Sequence, residues 1–191
     1  MAFTMLPIDF IYEHIEDEHG VYETGMFTYK GKDILINKEN PEYKVYFHIV
    51  GPLSGIREQE EILPAIRDNH LEPYVILHGP LHSDKLDEQF EKADFAIGSL
   101  GRHRSGITYI KTLKNREYAA RGLSFTYSET DEDFDRMPYV WKVPPDESPI
   151  DICGLINFQR SQQMSPPEIR ETVRALSWTA QMRKVIHETE I

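Results

Sequence analysis

A chain of 191 residues, 40% hydrophobic and 28% charged, has the composition of one soluble globular domain with a proper core and is too short for two large ones. Its formal net charge of -11 argues against nucleic acid as a partner, because neutralising phosphates along a helix needs a broad basic face. No apolar run approaches the roughly 18 residues that span a bilayer, MAFTMLPIDF lacks the basic flank and cleavage site of a secretory signal, and the one cysteine, Cys153, excludes an internal disulfide and fits a reducing, cytoplasmic setting.

Residues 1–43 read as an N-terminal extension. Two apolar runs, Val21 to Thr28 and Ile34 to Ile36, would make a hairpin around Tyr29 to Asp33. His14 and His19 stand among Glu13, Glu16, Asp17 and Glu18, but their spacing does not stack two ligands on one helix face. A solvated acidic turn is therefore expected there, and no metal site.

Residues 44–191 have a regular pattern. Lys44 to Val50 is a β-branched and aromatic run ending at Gly51, as a buried strand should. Helical spacing follows through Ile56, Ile62, Leu63 and Ile66, with Pro64 placed to kink or restart the helix. Tyr74 to Leu77, before His78-Gly79, is a second strand, and Ser83 is positioned to cap a helix with Leu86, Phe90 and Ala93 inward. Asp94 to Ile97 is a third strand, Ile107 to Arg121 a helix ended by Gly122, and Leu123 to Tyr127 and Tyr139 to Val143 are two more strands. Thr130 to Asp135 reads as a short solvated acidic helix, Ser148-Pro149 as a helix start, and Cys153 as a small core residue. Ser165 with Glu168 three residues on is a capping-box pattern, opening one long C-terminal helix to about Glu188. Strands alternating with helices predict an α/β fold with a mainly parallel, Rossmann-like sheet flanked by helices.

The stretch from Gly98 to Gly122 stands out chemically. It holds Arg102, Arg104, Lys111, Lys114, Arg116 and Arg121 against the single acid Glu117, in a chain otherwise rich in acids. A local positive island suits a small anion better than a long polyanion, and a Gly-rich loop feeding a helix offers a phosphate free N–H groups and a favourable dipole. The bland alternative is a solvated helix face. In an open parallel sheet, ligands bind beyond the carboxyl ends of the strands, which puts the loops at Gly51, Gly79, Gly98 to Gly106 and Ser128 on one functional rim.

Several motifs then resemble one family. Lys114-x-x-Glu117-Tyr118-Ala119-x-x-Gly122 is similar to the K-x-x-E-Y-x-A-x-G segment of the C-terminal, nucleotide-sugar-binding domain of retaining, group 1 GT-B fold glycosyltransferases. Ala93 to Ile97 followed by Ser99 resembles the A-D strand before it, Val45 to Gly51 and Val75 to Gly79 resemble the first glycine-terminated strands, and Leu176-Ser177-Trp178 resembles the start of the last helix. The likeness covers roughly residues 44 to 190. It implies half of a GT-B fold, a UDP-, GDP- or ADP-sugar as donor substrate, no metal cofactor, and polysaccharide biosynthesis on a glycan or lipid-linked acceptor, in the cytoplasm or peripheral to the inner face of the membrane. By the same resemblance Glu117 would accept hydrogen bonds from the ribose hydroxyls. Its alternative is an ion pair with Lys114 or Arg121 on the same helix. Lys114, Arg102 and Arg104 would neutralise the diphosphate. The backbone of Ser105, Gly106, Ile107 and Thr108 would contact phosphate, with Gly51, Gly79 and Ser99 lining the site.

The catalytic groups are not indicated. Tyr109 stands where many members have a second, sugar-contacting glutamate, Ser124 replaces the usual proline, and Arg57 is the lone cation after the first strand. Such enzymes also need an N-terminal acceptor domain, so the chain by itself is expected to bind nucleotide weakly and to transfer nothing. Two alternatives remain open: half of a sugar-nucleotide epimerase, and a non-catalytic nucleotide-binding or interaction module that self-associates through exposed apolar surface.

Overall fold

The computed structural model describes the backbone of residues 9–17, 20–29, 32–37, 45–55, 58–146, 148 and 150–189, and side chains between residues 45 and 186 within those ranges. β1 (Asp9–Asp17), β2 (Gly20–Tyr29) and β3 (Lys32–Asn37) form an antiparallel sheet in that order. The expected hairpin is present as β2 and β3, with Tyr29 opposite Lys32, and β1 adds a strand where a turn was expected. The metal-versus-solvent reading of His14 and His19, the cation Arg57 and the Pro149 helix start fall outside the described residues or side chains.

From residue 45 the chain is an α/β protein with short parallel strands in two small sheets flanked by helices. β4 (Phe47–Val50) pairs in parallel with β5 (Val75–Gly79). Between them lies a π-helical turn, Glu58–Ile62, after which α1 (Leu63–Asp68) restarts with Pro64 in its first turn, where a missing N–H does no harm. Ile49, Ile62, Ile66, Leu71 and Val75 bury together as one core. After α2 (Asp84–Lys92), β6 (Phe95–Ile97), β7 (Ser124–Tyr127) and β8 (Val140–Lys142) make the second parallel sheet in that order. Ser83 precedes α2 with φ 48° and its side chain does not cap the helix. Every residue of the central strand β7 is buried, as a parallel strand covered on both faces requires.

The larger core is aromatic. Phe125 of β7 lies 5.7 Å from the Tyr118 ring, 5.4 Å from Phe134 and 6.1 Å from Tyr139, all of them buried. Strand alternation sends Phe125 and Tyr127 to one face, towards α3 (Leu113–Arg121), whereas Thr126 of the opposite face donates its hydroxyl to the Trp141 carbonyl at 2.6 Å. On that second face α4 (Ile152–Ser161) joins the two sheets: Ile150 and Ile152 pack on the β4–β5 core, and Phe158 meets Phe95 and Trp141. Asp151, not Ser148, caps α4, accepting from the Gly154 N–H at 2.8 Å. Cys153 in its first turn is exposed, which corrects the core assignment: an apolar neighbourhood in sequence lies on both faces of a helix, and residue 153 falls on the outer one.

The expected single C-terminal helix is three pieces. α5 (Pro166–Thr172) opens with the capping box of Ser165 and Glu168, a 3-10 turn covers Arg174–Leu176, and α6 (Trp178–Thr189) begins after Ser177. Ser177 is extended, with ψ 149°, and its hydroxyl accepts from the Ala180 N–H, so it terminates one helix and caps the next. Gly122 ends α3 as expected, at φ 79°. A methyl group there would stand 2.6 Å from Pro166 Cβ and from the Pro166 carbonyl oxygen. Gly122→Ala is therefore expected to combine a left-handed penalty with displacement of α5, lowering stability by about 2–3 kcal/mol and the melting temperature by about 5–10 °C. A thermal melt of the variant checks this, and an unchanged melting temperature would refute it.

Candidate functional site

The basic stretch is built differently from a loop running into one long helix. After β6 the chain turns at Gly98, whose N–H donates to the Thr126 carbonyl at 2.7 Å. A side chain at this position would approach Asn115 Oδ1 to 2.8 Å and the Thr126 oxygen to 2.9 Å, so only glycine lets β6 pass so close under α3. Ser99 is buried and its carbonyl accepts from the Ser128 N–H at 3.0 Å. Arg102–Ser105 form one 3-10 turn ended by Gly106 at φ 70°. The next residues are extended: Tyr109 bridges Thr130 in parallel, with Ile110 N–H donating to the Thr130 carbonyl and Thr130 N–H to the Thr108 carbonyl. The helix expected from Ile107 thus begins only at Leu113. Thr108, Tyr109 and Ile110 are β-branched or aromatic and go where a strand partner exists.

The acidic run expected to be a solvated helix is the main support of this loop. Glu129 is 1% exposed, Asp131 0% and Phe134 0%. Glu129 Oε1 accepts from the N–H groups of Gly101 at 3.2 Å and His103 at 3.1 Å, and Oε2 from the Ser128 hydroxyl at 2.8 Å. Asp131 Oδ2 accepts from Asn115 Nδ2 at 3.1 Å and from Arg116 at 3.4 Å, while Asp133 also pairs with Arg116. Burial pushes the Asp131 pKa up, against the pull of Arg116 and Asn115. Asp135 is also desolvated, but hydrogen bonds from Lys142 and Tyr127 hold its pKa below the usual carboxylate value. Five acids in the seven residues from Glu129 to Asp135 look solvated by composition. Here Asp131 and Asp133 are the internal counter-charges of Arg116, and Phe134 in their midst is the one signal of burial the sequence offered.

This pairing sorts the cations. Arg116 is held by Asp131 and Asp133, and Arg121 by Asp87 at 2.7 Å and Glu117 at 3.1 Å, with its guanidinium 4.0 Å from the Phe90 ring centre. Glu117 therefore makes the same-helix ion pair weighed above as its alternative. Arg102 stands in the 3-10 turn and Lys114 in the first turn of α3. Burial and the nearby Arg102 charge push the Lys114 pKa down to about 8. Arg104 is half-buried beside them in sequence, and Ser105, Gly106, Ile107 and Thr108 are exposed at the tip. Of their four N–H groups, Gly106 bonds the His103 carbonyl and Ile107 the Arg102 carbonyl, so those two serve the turn itself.

Gly51 and Gly79 belong to the other sheet, where they adjoin one another through a Gly51 N–H to Gly79 carbonyl bond of 2.9 Å. At that end His48 Nδ1 and His78 Nε2 are 2.9 Å apart with stacked rings, and burial, then His48 and Lys92, lower the His78 pKa. No cluster of three or more potential metal ligands occurs among the described residues, and none of their helices is long and apolar enough to cross a membrane. No protein-family model matches this chain, and no curated protein or solved structure shows significant similarity to it.

Proposed function

We propose that this chain is the donor-binding half of a retaining GT-B glycosyltransferase, with a Rossmann-like domain over residues 44–191 that takes a nucleoside diphosphate sugar and passes the sugar to a glycan or lipid-linked acceptor held by an N-terminal domain. The observation that supports the reading is the placement of Arg102 in the 3-10 turn after β6 and of Lys114 in the first turn of α3, where burial and the Arg102 charge push the Lys114 pKa down to about 8. An anion bound beside a desolvated lysine that feels a second positive charge favours its charged form and offsets both the repulsion and the burial. A diphosphate there would lie at the amino end of α3, whose dipole favours it. Both hydrogen bonds from Arg121 go to Oε1 of Glu117, which leaves Oε2 as the acceptor for ribose hydroxyls.

Calorimetry with UDP, GDP and ADP sugars tests this directly. One of the three should bind weakly, and Glu117→Ala should reduce its affinity by about tenfold, the value of one charge-assisted hydrogen-bond pair. Absence of binding by all three, with the protein folded, overturns the reading. A second reading, an interaction module, is favoured by α6, where Trp178 is 76% and Met182 46% exposed one helical turn apart. A stable oligomer in size-exclusion chromatography that ignores all three nucleotides would select it.

A further inference from the structure

We propose that His48 and His78 form a two-imidazole chelate for a divalent transition metal of the copper or nickel type, beside the carboxyl ends of β4 and β5. A departure from regular strand pairing brings the two side chains together. In the parallel ladder Phe47 lies opposite Val75, His48 opposite Ile76 and Ile49 opposite Leu77, but Val50 lies opposite Gly79, so His78 is an extra residue in β5. Such a bulge re-aims a side chain, and bulges gather beside functional sites. Here His78 Nε2 stands 2.9 Å from His48 Nδ1, and the next residue is Gly79 at φ 66°, a conformation that favours glycine. An exposed hydrogen bond between two imidazoles adds little stability, so it does not by itself account for interrupting a ladder of only two strands. The bulge also lies at the edge where parallel sheets hold ligands.

The separation selects the metal. Two nitrogens bonded to one ion stand about 2.8–3.0 Å apart at the right angles of a tetragonal or octahedral site, and about 3.3–3.4 Å apart in a tetrahedron. The observed 2.9 Å fits the first. Imidazole suits Cu2+ and Ni2+, whereas Mg2+ and Ca2+ call for oxygen ligands. No third His, Cys, Asp or Glu joins the pair among the described residues, so water fills the remaining positions. The Lys92 charge is felt at His78 and opposes a dication, which with only two protein ligands sets the expected affinity in the micromolar range. In the unliganded pair one ring donates its N–H to the other. Chelation needs both facing nitrogens as lone pairs. The bridging proton therefore moves to the outer nitrogen of its own ring, and rotation about χ2 turns both lone pairs to the metal.

Titration of copper(II) chloride into the metal-free full chain tests the site without involving any nucleotide, so its outcome is independent of the donor-site reading. A single Cu2+ should bind per chain, with two equatorial imidazoles in its pulsed EPR spectrum. His48→Gln and His78→Gln keep a hydrogen-bonding side chain but lose the ligand. Each should weaken binding by about tenfold or more and leave one imidazole in the spectrum, whereas His70→Gln should change nothing. Copper should also raise the melting temperature of the wild type, because it ties folded β4 to β5, and should not raise that of either variant. Binding undiminished by both glutamine substitutions would mean an adventitious ion only and overturn the site. A wild-type spectrum without two imidazoles would do the same, and it decides even if a variant fails to fold.

Discussion

Lys114→Met is expected to weaken nucleoside diphosphate binding by about ten- to a hundredfold, and at the same time to stabilise the unliganded protein. The first part follows from the removal of a charge-assisted hydrogen bond to phosphate, typically about 1.5–3 kcal/mol. The second follows from proton linkage. Burial and the Arg102 charge push the Lys114 pKa down to about 8 in the folded chain, from the ordinary lysine value of 10.5, so the folded state binds fewer protons than the unfolded state between those limits. Stability therefore rises with pH across that window, and below it the folded protein carries a penalty of up to about 3 kcal/mol that methionine does not. A phosphate restores the Lys114 charge, so between pH 8 and 9 binding should take up a proton, and affinity should fall as pH rises above 8. Calorimetry in two buffers of different ionisation heat reads the proton, and thermal melts at pH 7 read the stability. A variant that both binds and melts worse than the wild type would mean that Lys114 is structural, and the stability–function trade-off proposed for this position would be wrong.

What the sequence made legible were the features that depend on neighbours along the chain. The runs that became β4 to β8 are short and β-branched or aromatic, β4, β5, β6 and β8 are stopped by glycine or proline, and each lies within a few residues of its expected place. Pro64, Gly122 and the Ser165–Glu168 capping box act through local backbone geometry, so their positions alone announced what they do. The features that were not legible depend on a remote partner. Thr108 to Ile110 have a helical neighbour on one side, yet they extend because Thr130 offers a strand edge. The run from Glu129 to Asp135 is as acidic as any solvated tail, yet Glu129 and Asp131 within it are buried, because the turn amides receive the first and Asn115 and Arg116 the second. The candidate site was legible as a stretch of cations. The acids that hold Arg116, and one of the two that hold Arg121, lie outside that stretch.

That internal pairing predicts the second large effect. Arg116→Met should destabilise the protein by about 3–5 kcal/mol, because it strands the Asp131 carboxylate, which is 0% exposed, with Asn115 as its remaining side-chain donor. The corresponding fall in melting temperature is about 6–20 °C. Most of the cost lies in the uncompensated charge and little in the lost packing, since methionine fills similar space beside Phe134. The loss should therefore depend on pH. Burial already holds the Asp131 pKa above its unfolded value, and removing Arg116, which opposes that shift, raises it further. A group raised in the folded state binds its proton there first, so stability falls as pH climbs through the interval between the unfolded and folded values. The variant should consequently approach the wild type at pH 5 and fall furthest behind it at pH 8. Asp131→Asn, which removes the charge and keeps an acceptor, should be milder on its own, because Arg116 still bonds Asp133 and the Thr112 carbonyl. Added to Arg116→Met it should recover about 1–3 kcal/mol as a coupling energy in the double-mutant cycle. If the two losses simply add, Arg116 and Asp131 are independent neighbours, and the acidic run does not hold α3 in place through this pair.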